Sequence, residues 1–129
     1  MSAVTEIADG VFRICTYVPE ANIQFNQFLV RDAEPLLYHT GHRRLFGEVR
    51  EAVASLIDPA TLRWIGFSHM EADECGALAD WQGVAASATA LCTRIGKRIG
   101  VDDFIAEATS NLLDGAVVLL LILRVLRRL

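Results

Sequence analysis

The sequence has few cysteines and no segment that resembles a secretory signal, and each absence removes a class of protein. Its three cysteines, Cys15, Cys75 and Cys92, are an odd number and form no CxxC pair. A disulfide scaffold is therefore excluded, and we expect a reduced, cytoplasmic protein. No basic segment followed by an apolar one occurs in the first ten residues, so we expect no secretory signal.

Long hydrophobic runs are also missing. The most apolar run, residues 116–123, has eight uninterrupted apolar residues, far fewer than the roughly 20 that a membrane-spanning helix needs. We therefore expect no membrane span, and a buried strand or short core helix at this position. A membrane-surface or partner-binding helix with a basic end is the alternative, because arginines follow the run.

Positive charge, repeats and linkers are scarce as well. The formal net charge is −4, and the three arginines near the end, Arg124, Arg127 and Arg128, are too few for a nucleic-acid footprint. We expect no nucleic-acid partner. Without internal repeats or a Pro/Ser-rich linker, the 129 residues are expected to form one domain, and an apolar fraction of 53% allows a sizeable core.

The apolar pattern predicts strands first and then alternating helices and strands. Predicted strands are 4–8, 11–18, 27–32, 35–41, 62–68 and 88–93, and Asp9-Gly10 is a turn dipeptide typical of hairpins. Helical spacing predicts helices over 42–57 and 76–84, and a broken helix over 93–106. This order indicates an α/β layer fold in which helices cover a sheet.

A cluster of potential metal ligands follows the fifth predicted strand, in "FSHMEADECGAL" at residues 67–78. His69, Glu71 and Asp73 alternate, so in an extended turn their side chains point the same way. An imidazole with two carboxylates suits iron, manganese or zinc, and Glu74 is an additional oxygen donor that favours a harder ion. Three protein ligands leave coordination positions open, which is typical of a reactive site.

Other interpretations of the same residues remain open. The cluster could be a solvated loop in which Asp73 or Glu74 caps the next helix. Cys75 could be a soft ligand or a small packed residue. His39 and His42 could contact the metal ligands, or could lie at the surface and cap a helix.

Three further residues lie near the cluster. Trp64 and Trp81 are expected in the core, because large aromatic side chains bury well. Ser68 precedes the first candidate ligand but has no evident acid–base partner in the sequence, so a serine triad is not expected.

The motif "HMEADECG" resembles the H-x-E-x-D-x-x-G motif of the flavodiiron-type branch of the metallo-β-lactamase superfamily. "FNQFLVRD" followed by "LLYHTGH" is similar to the second hairpin of that family, and "LLDGAVV" to the strand that opens its second half. The resemblance covers most of the chain but only the N-terminal half of the αββα sandwich. It implies a single truncated domain over 1–129, with a mixed sheet of about six strands and helices on one face.

By position, the resemblance implies that His69 and Glu71 bind a first iron and that Asp73 binds a second. Glu74 stands where a histidine often follows the aspartate, so the second metal would need a different ligand. The remaining ligands of the family, two histidines and a bridging aspartate, come from the second half of the sandwich. One chain is therefore expected to hold one iron or none, with zinc or manganese as alternatives.

Three functions follow as expectations. The resemblance implies a di-iron oxidoreductase or oxygen-binding protein that takes O2 or NO. A metal-dependent hydrolase, in which a metal-bound water attacks the substrate, is the second candidate. A non-catalytic truncated chain that acts as a binding or assembly module is the third. Because half a sandwich would expose an apolar sheet face, we expect residues 116–126 or another chain to cover it, most simply in a homodimer.

Overall fold

The computed structural model describes residues 2–92 of the protein. The predicted broken helix over 93–106 and the predicted strand or core helix at 116–126 lie outside the described residues. No helix within residues 2–92 is long and apolar enough to cross a membrane.

Within residues 2–92, six strands form one mixed sheet in the order of the chain. They are β1 (Ala3–Ala8), β2 (Val11–Val18), β3 (Ile23–Val30), β4 (Leu36–Tyr38), β5 (Trp64–Phe67) and β6 (Thr89–Cys92). The first four pair antiparallel, whereas β4–β5 and β5–β6 pair parallel. The prediction of a mixed sheet of about six strands is confirmed.

A two-residue turn at Asp9-Gly10 joins β1 to β2, as predicted. Gly10 has a φ of +67°, a conformation that the glycine adopts without a Cβ clash. A Cβ at this position would lie 2.9 Å from the Arg31 carbonyl oxygen, while the Arg31 amide donates to the Gly10 carbonyl at 2.7 Å. The glycine therefore permits close contact between this turn and the end of β3.

In the described part of the chain, three α-helices accompany the sheet: α1 (Phe46–Ala54), α2 (Ala72–Cys75) and α3 (Leu78–Val84). The predicted helix over 42–57 begins with a 3-10 turn at Arg43–Leu45, and His42 Nδ1 accepts a hydrogen bond from the Arg44 amide at its start. The surface-capping interpretation of His42 is thus confirmed. The predicted helix over 76–84 is preceded by the separate short helix α2, which lies inside the candidate ligand cluster.

The main core lies between one face of the sheet and helices α1 and α3. Residues paired directly across neighbouring strands lie on the same face of the sheet, and Phe12 of β2 and Leu29 of β3 are such a pair on the core face. The buried residues of this core are Phe12, Ile14, Leu29, Leu37, Val49, Ala52, Val53, Leu62, Ile65, Ala77, Trp81 and Ala85. Trp81 is fully buried, as predicted for a core aromatic residue. The prediction of helices on one face is therefore confirmed.

The opposite face of the sheet carries a second, smaller apolar cluster. Val30, Leu36 and Tyr38 are buried in it, and Phe28 and Trp64 are partly buried against them. A sheet that is apolar on both faces is typical of a layer covered on both sides. Trp64 was predicted in the core, but it is only partly buried and packs against the edge of this smaller cluster.

Candidate metal centre

The parallel pairing of β4 with β5 brings the loops that follow these two strands to the same end of the sheet, although the loops are far apart in the sequence. Tyr38 pairs with Gly66, so the residues that follow each strand leave the sheet side by side. The His39 amide donates to the Gly66 carbonyl at 2.8 Å, and His39 takes a left-handed φ of +62°. Its ring consequently lies beside Ser68, 29 positions further along the chain.

His69 and Glu71 are the two predicted ligands that come together. His69 Nδ1 lies 3.7 Å from Glu71 Oε1, and the exposed fractions of the two side chains are 35% and 65%. This proximity agrees with the alternating pattern of the motif. Asp73 lies exposed in the first turn of α2. Among residues 2–92, no three His, Cys, Asp or Glu side chains form a group that could hold a metal.

Glu74 points away from this pair and into the loop that precedes α2. Its Oε2 accepts hydrogen bonds from Ser68 Oγ at 2.6 Å, the Ser68 amide at 3.1 Å and the His69 amide at 2.5 Å. His39 Nε2 is 3.8 Å from the same oxygen. Neither Asp73 nor Glu74 is the N-cap of α2, which is Glu71, and Glu71 makes no side-chain capping bond. Both acids nevertheless lie in the first turn of α2, where the helix dipole favours negative charge.

Two opposing effects set the pKa of the Glu74 carboxyl. Burial raises it, but the hydrogen bonds from Ser68 and His69, together with the nearby imidazoles of His39 and His69, lower it further than burial raises it. The net pKa lies below the ordinary value for glutamate. Glu74 is therefore an ionised acceptor at neutral pH, which strengthens the hydrogen bonds that it receives.

Cys75 is a half-buried thiol beside the motif. Its Sγ donates to the Glu71 carbonyl at 3.3 Å. Burial raises the pKa of Cys75, and the adjacent Glu74 carboxylate raises it further. Both effects favour the protonated thiol. Cys75 belongs to neither apolar cluster, and its role as a soft ligand or a packed residue stays a prediction.

His39 is the residue that sequence reasoning placed least well. The Ser68 hydroxyl lies 3.5 Å from His39 Nε2, but it donates a much shorter bond, of 2.6 Å, to Glu74. The serine proton is thus directed to the acid and not to the imidazole, so a serine triad is not arranged. The signal that could have located His39 is its position directly after β4, as Ser68 directly follows β5, together with the strand–helix–strand order that predicts parallel pairing of these two strands.

A second set of bonds fixes the ligand loop to the loop after β4. The amide and hydroxyl of Thr40 donate to the Glu74 carbonyl at 2.7 and 3.1 Å. In return, the Ala77 amide donates to the Gly41 carbonyl at 3.1 Å. The indole nitrogen of Trp81 donates to the Thr40 carbonyl at 3.3 Å. These hydrogen bonds therefore connect the candidate centre to the loop after β4 and to the start of α3.

Comparison with known proteins gives a family match over most of the described chain. The family described as ODP family beta lactamase matches residues 23–107. The chain is 27% identical over 103 residues to the flavo-diiron protein FprA2 of Clostridium acetobutylicum. This alignment covers 71% of the chain but 26% of the relative, so the chain spans about a quarter of that protein.

Solved structures show the same fold. The rubredoxin oxygen:oxidoreductase of the anaerobe Desulfovibrio gigas superposes with a TM-score of 0.66 at 22% identity, over 74% of this chain and 27% of that one. A metallo-β-lactamase with the HARLDQ motif from Cronobacter sakazakii gives a TM-score of 0.58 at 20% identity, over 67% of this chain and 32% of that one. The fold is the N-terminal part of the metallo-β-lactamase domain, as the motif resemblance implied.

Proposed function

The chain belongs to the ODP beta-lactamase family, and we propose that it supplies the first group of metal ligands of a di-iron oxidoreductase or oxygen-binding centre. The observation that carries this proposal is the pair of His69 and Glu71 at the end of β5, with Nδ1 and Oε1 3.7 Å apart. The flavo-diiron name of a relative supports iron as the metal, and the oxygen:oxidoreductase name of a solved structure with this fold supports O2 as the small-molecule partner. NO is proposed as the alternative because the motif resemblance implies it.

In this proposal His69 and Glu71 hold one iron and Asp73 contributes to a second. Bound iron would supply the electron-transfer and oxygen-binding chemistry. Both side chains of the pair are partly exposed to solvent, and further ligands are proposed to come from another segment or chain. The donor types suit the metal, but His69 and Glu71 alone are an incomplete set. The protein's own contribution is to hold the imidazole and the carboxylate side by side at a fixed strand end.

Metal content tests this proposal. We expect near-stoichiometric iron in the purified chain by mass spectrometry, and loss of that iron in the double variant Glu71→Ala/Asp73→Ala, because two of the proposed ligands are removed. The variant Glu20→Ala/Glu51→Ala removes the same charge from exposed positions and should keep its iron.

Zinc in place of iron would favour the metal-dependent hydrolase. Absence of metal from all three proteins would contradict both metal-dependent functions and favour a binding or assembly module. Equal iron in the two double variants would show that these carboxylates are not ligands.

A second copy of the chain is proposed as partner because part of the sheet face opposite α1 and α3 stays accessible: Phe28 and Trp64 are only partly buried there, whereas Val30, Leu36 and Tyr38 are already buried within one chain. Each chain is proposed to be a single half-sandwich domain over 1–129 that contacts the other at Trp64 and Phe28. Unpaired cysteines at all three positions support a reducing, cytoplasmic location.

Sedimentation velocity tests the dimer. We expect twice the monomer mass for the natural chain and a monomer for Trp64→Glu, because a charge at an apolar interface must be desolvated. Ala54→Glu adds the same charge to the exposed side of α1 and should remain dimeric. A natural chain that is monomeric at micromolar concentration would contradict the proposed homodimer.

A further inference from the structure

Four candidate ligands lie in the motif, and its two glutamates, Glu71 and Glu74, have different surroundings. Glu71 is 65% exposed and lies beside the His69 ring, whereas the Glu74 side chain is only 15% exposed and lies against the strand end. We infer that Glu74 is a positioning residue, which fixes the backbone from which His69 projects, and is not an additional metal ligand. This inference rests on the proposed function of His69 as a ligand.

The hydrogen bonds of Glu74 leave little capacity on the oxygen that faces the motif. Three donors converge on Oε2: the Ser68 hydroxyl, the Ser68 amide and the His69 amide. A carboxylate oxygen presents about two lone-pair sites, so this oxygen is fully used by protein donors. A metal at the same oxygen would have to displace at least one of them and leave a polar group unpaired.

The two amides that donate to Glu74 are those of Ser68 and His69, and they orient the backbone from which the candidate ligand His69 projects. The His69 amide belongs to the same residue as the imidazole, so a bond that holds this N–H also holds the Cα–Cβ bond from which the ring projects. The Ser68 amide fixes the preceding peptide in the same way. The main chain of Glu74 is in turn anchored by two bonds from Thr40. Glu74 thus connects the ligand loop to the loop after β4.

This arrangement gives Glu74 a defined effect on metal binding. Ionised acceptors make hydrogen bonds about twice as strong as neutral ones, and residues that orient metal ligands typically change metal affinity by about 10–100-fold when they are removed. A direct ligand and a positioning residue differ in what can replace them. An amide oxygen can still accept the loop hydrogen bonds, but it is a poor substitute for a carboxylate on a hard metal.

The test compares Glu74→Ala, Glu74→Gln and Ser68→Ala in the full chain, with Glu20→Ala as an exposed control. Cobalt(II) is the probe, and its visible absorption reports both affinity and coordination. Backbone amide hydrogen exchange at Ser68 and His69, measured without metal, reports the loop itself. We expect Glu74→Ala to accelerate this exchange and to weaken cobalt binding by about 10–100-fold.

We expect Glu74→Gln to restore slow exchange, the cobalt spectrum and an affinity within about threefold of the natural chain, because a neutral acceptor retains part of each bond. Ser68→Ala should weaken cobalt binding in the same direction as Glu74→Ala. A ligand role predicts the reverse pattern, in which Glu74→Gln binds as poorly as Glu74→Ala and Ser68→Ala binds normally. That pattern would overturn the inference.

The two readouts separate this inference from the proposed function. Unchanged amide exchange in Glu74→Ala would overturn the positioning role whether or not cobalt binds. A natural chain that binds no cobalt would overturn the proposed function, and amide exchange alone would then decide whether Glu74 holds the loop.

Discussion

Replacement of Trp81 by alanine lowers the free energy of unfolding by about 3–5 kcal/mol, the usual range for a fully buried tryptophan. Trp81 belongs to α3, and its side chain has no exposed surface and lies in the core between that helix and the sheet. Its ring also meets Phe46 edge to face at 5.3 Å between centroids, so the cavity would extend towards the start of α1. Urea unfolding followed by circular dichroism measures the effect.

Two further variants separate packing from the hydrogen bond at this position. Trp81→Phe keeps most of the ring but removes the bond from the indole nitrogen to the Thr40 carbonyl, and should cost about 1–3 kcal/mol, the range for a buried acceptor left unpaired. Tyr17→Ala removes an aromatic side chain that is 55% exposed and should change stability by less than about 0.5 kcal/mol. A similar loss in Trp81→Ala and Tyr17→Ala would contradict the described core.

We expect replacement of Gly76 by alanine to lower the free energy of unfolding by about 1–3 kcal/mol, near the upper end of this range. A Cβ at Gly76 would lie 2.2 Å from the Ala72 carbonyl oxygen and 3.3 Å from the Arg43 amide nitrogen. Both contacts are with backbone atoms, which cannot rotate away as a side chain can. The end of α2 would have to shift, and with it Asp73 and the anchored Glu74.

Gly83 offers a matched control for this substitution. It lies in α3, and a Cβ there would meet nothing within 4 Å. Gly83→Ala should therefore stabilise the chain by about 0.5–1 kcal/mol, because alanine loses less backbone freedom in a helix. Urea unfolding of both variants gives the comparison, and equal stability of Gly76→Ala and Gly83→Ala would contradict the tight contact at α2.

Local pattern located the six strands and the family, but two strand bounds were wrong: β3 begins at Ile23 and not at 27, and β4 ends at Tyr38 and not at 41. Alternation in β2 and the Asp9-Gly10 turn predicted the opening hairpin with its observed bounds at 11–18. Helical spacing located α1, but its start moved from 42 to 46 because His42 caps a 3-10 turn first. The short helix α2 escaped prediction, since four residues give too little periodicity to detect.

The candidate centre was predicted in part. The alternation of His69 and Glu71 correctly placed their side chains together, because strand-like spacing is a local property of the backbone. That alternation places Glu71 with His69 and leaves Glu74 outside the set, but it does not show what the Glu74 carboxylate contacts. Ser68 bonds Glu74 within the same loop, whereas His39 and Thr40 reach it through the pairing of β4 with β5.

The sequence by itself determined the strand and helix order, the ligand types in the motif and the family to which they belong. Those properties depend on residues within a few positions of one another. Only the tertiary structure decided which carboxylate faces solvent and which accepts loop amides, and that His39 lies beside the motif. Hydrogen bonds between two loops about 30 residues apart depend on how the strands pair, and the side-chain pattern of a single strand does not encode its neighbour.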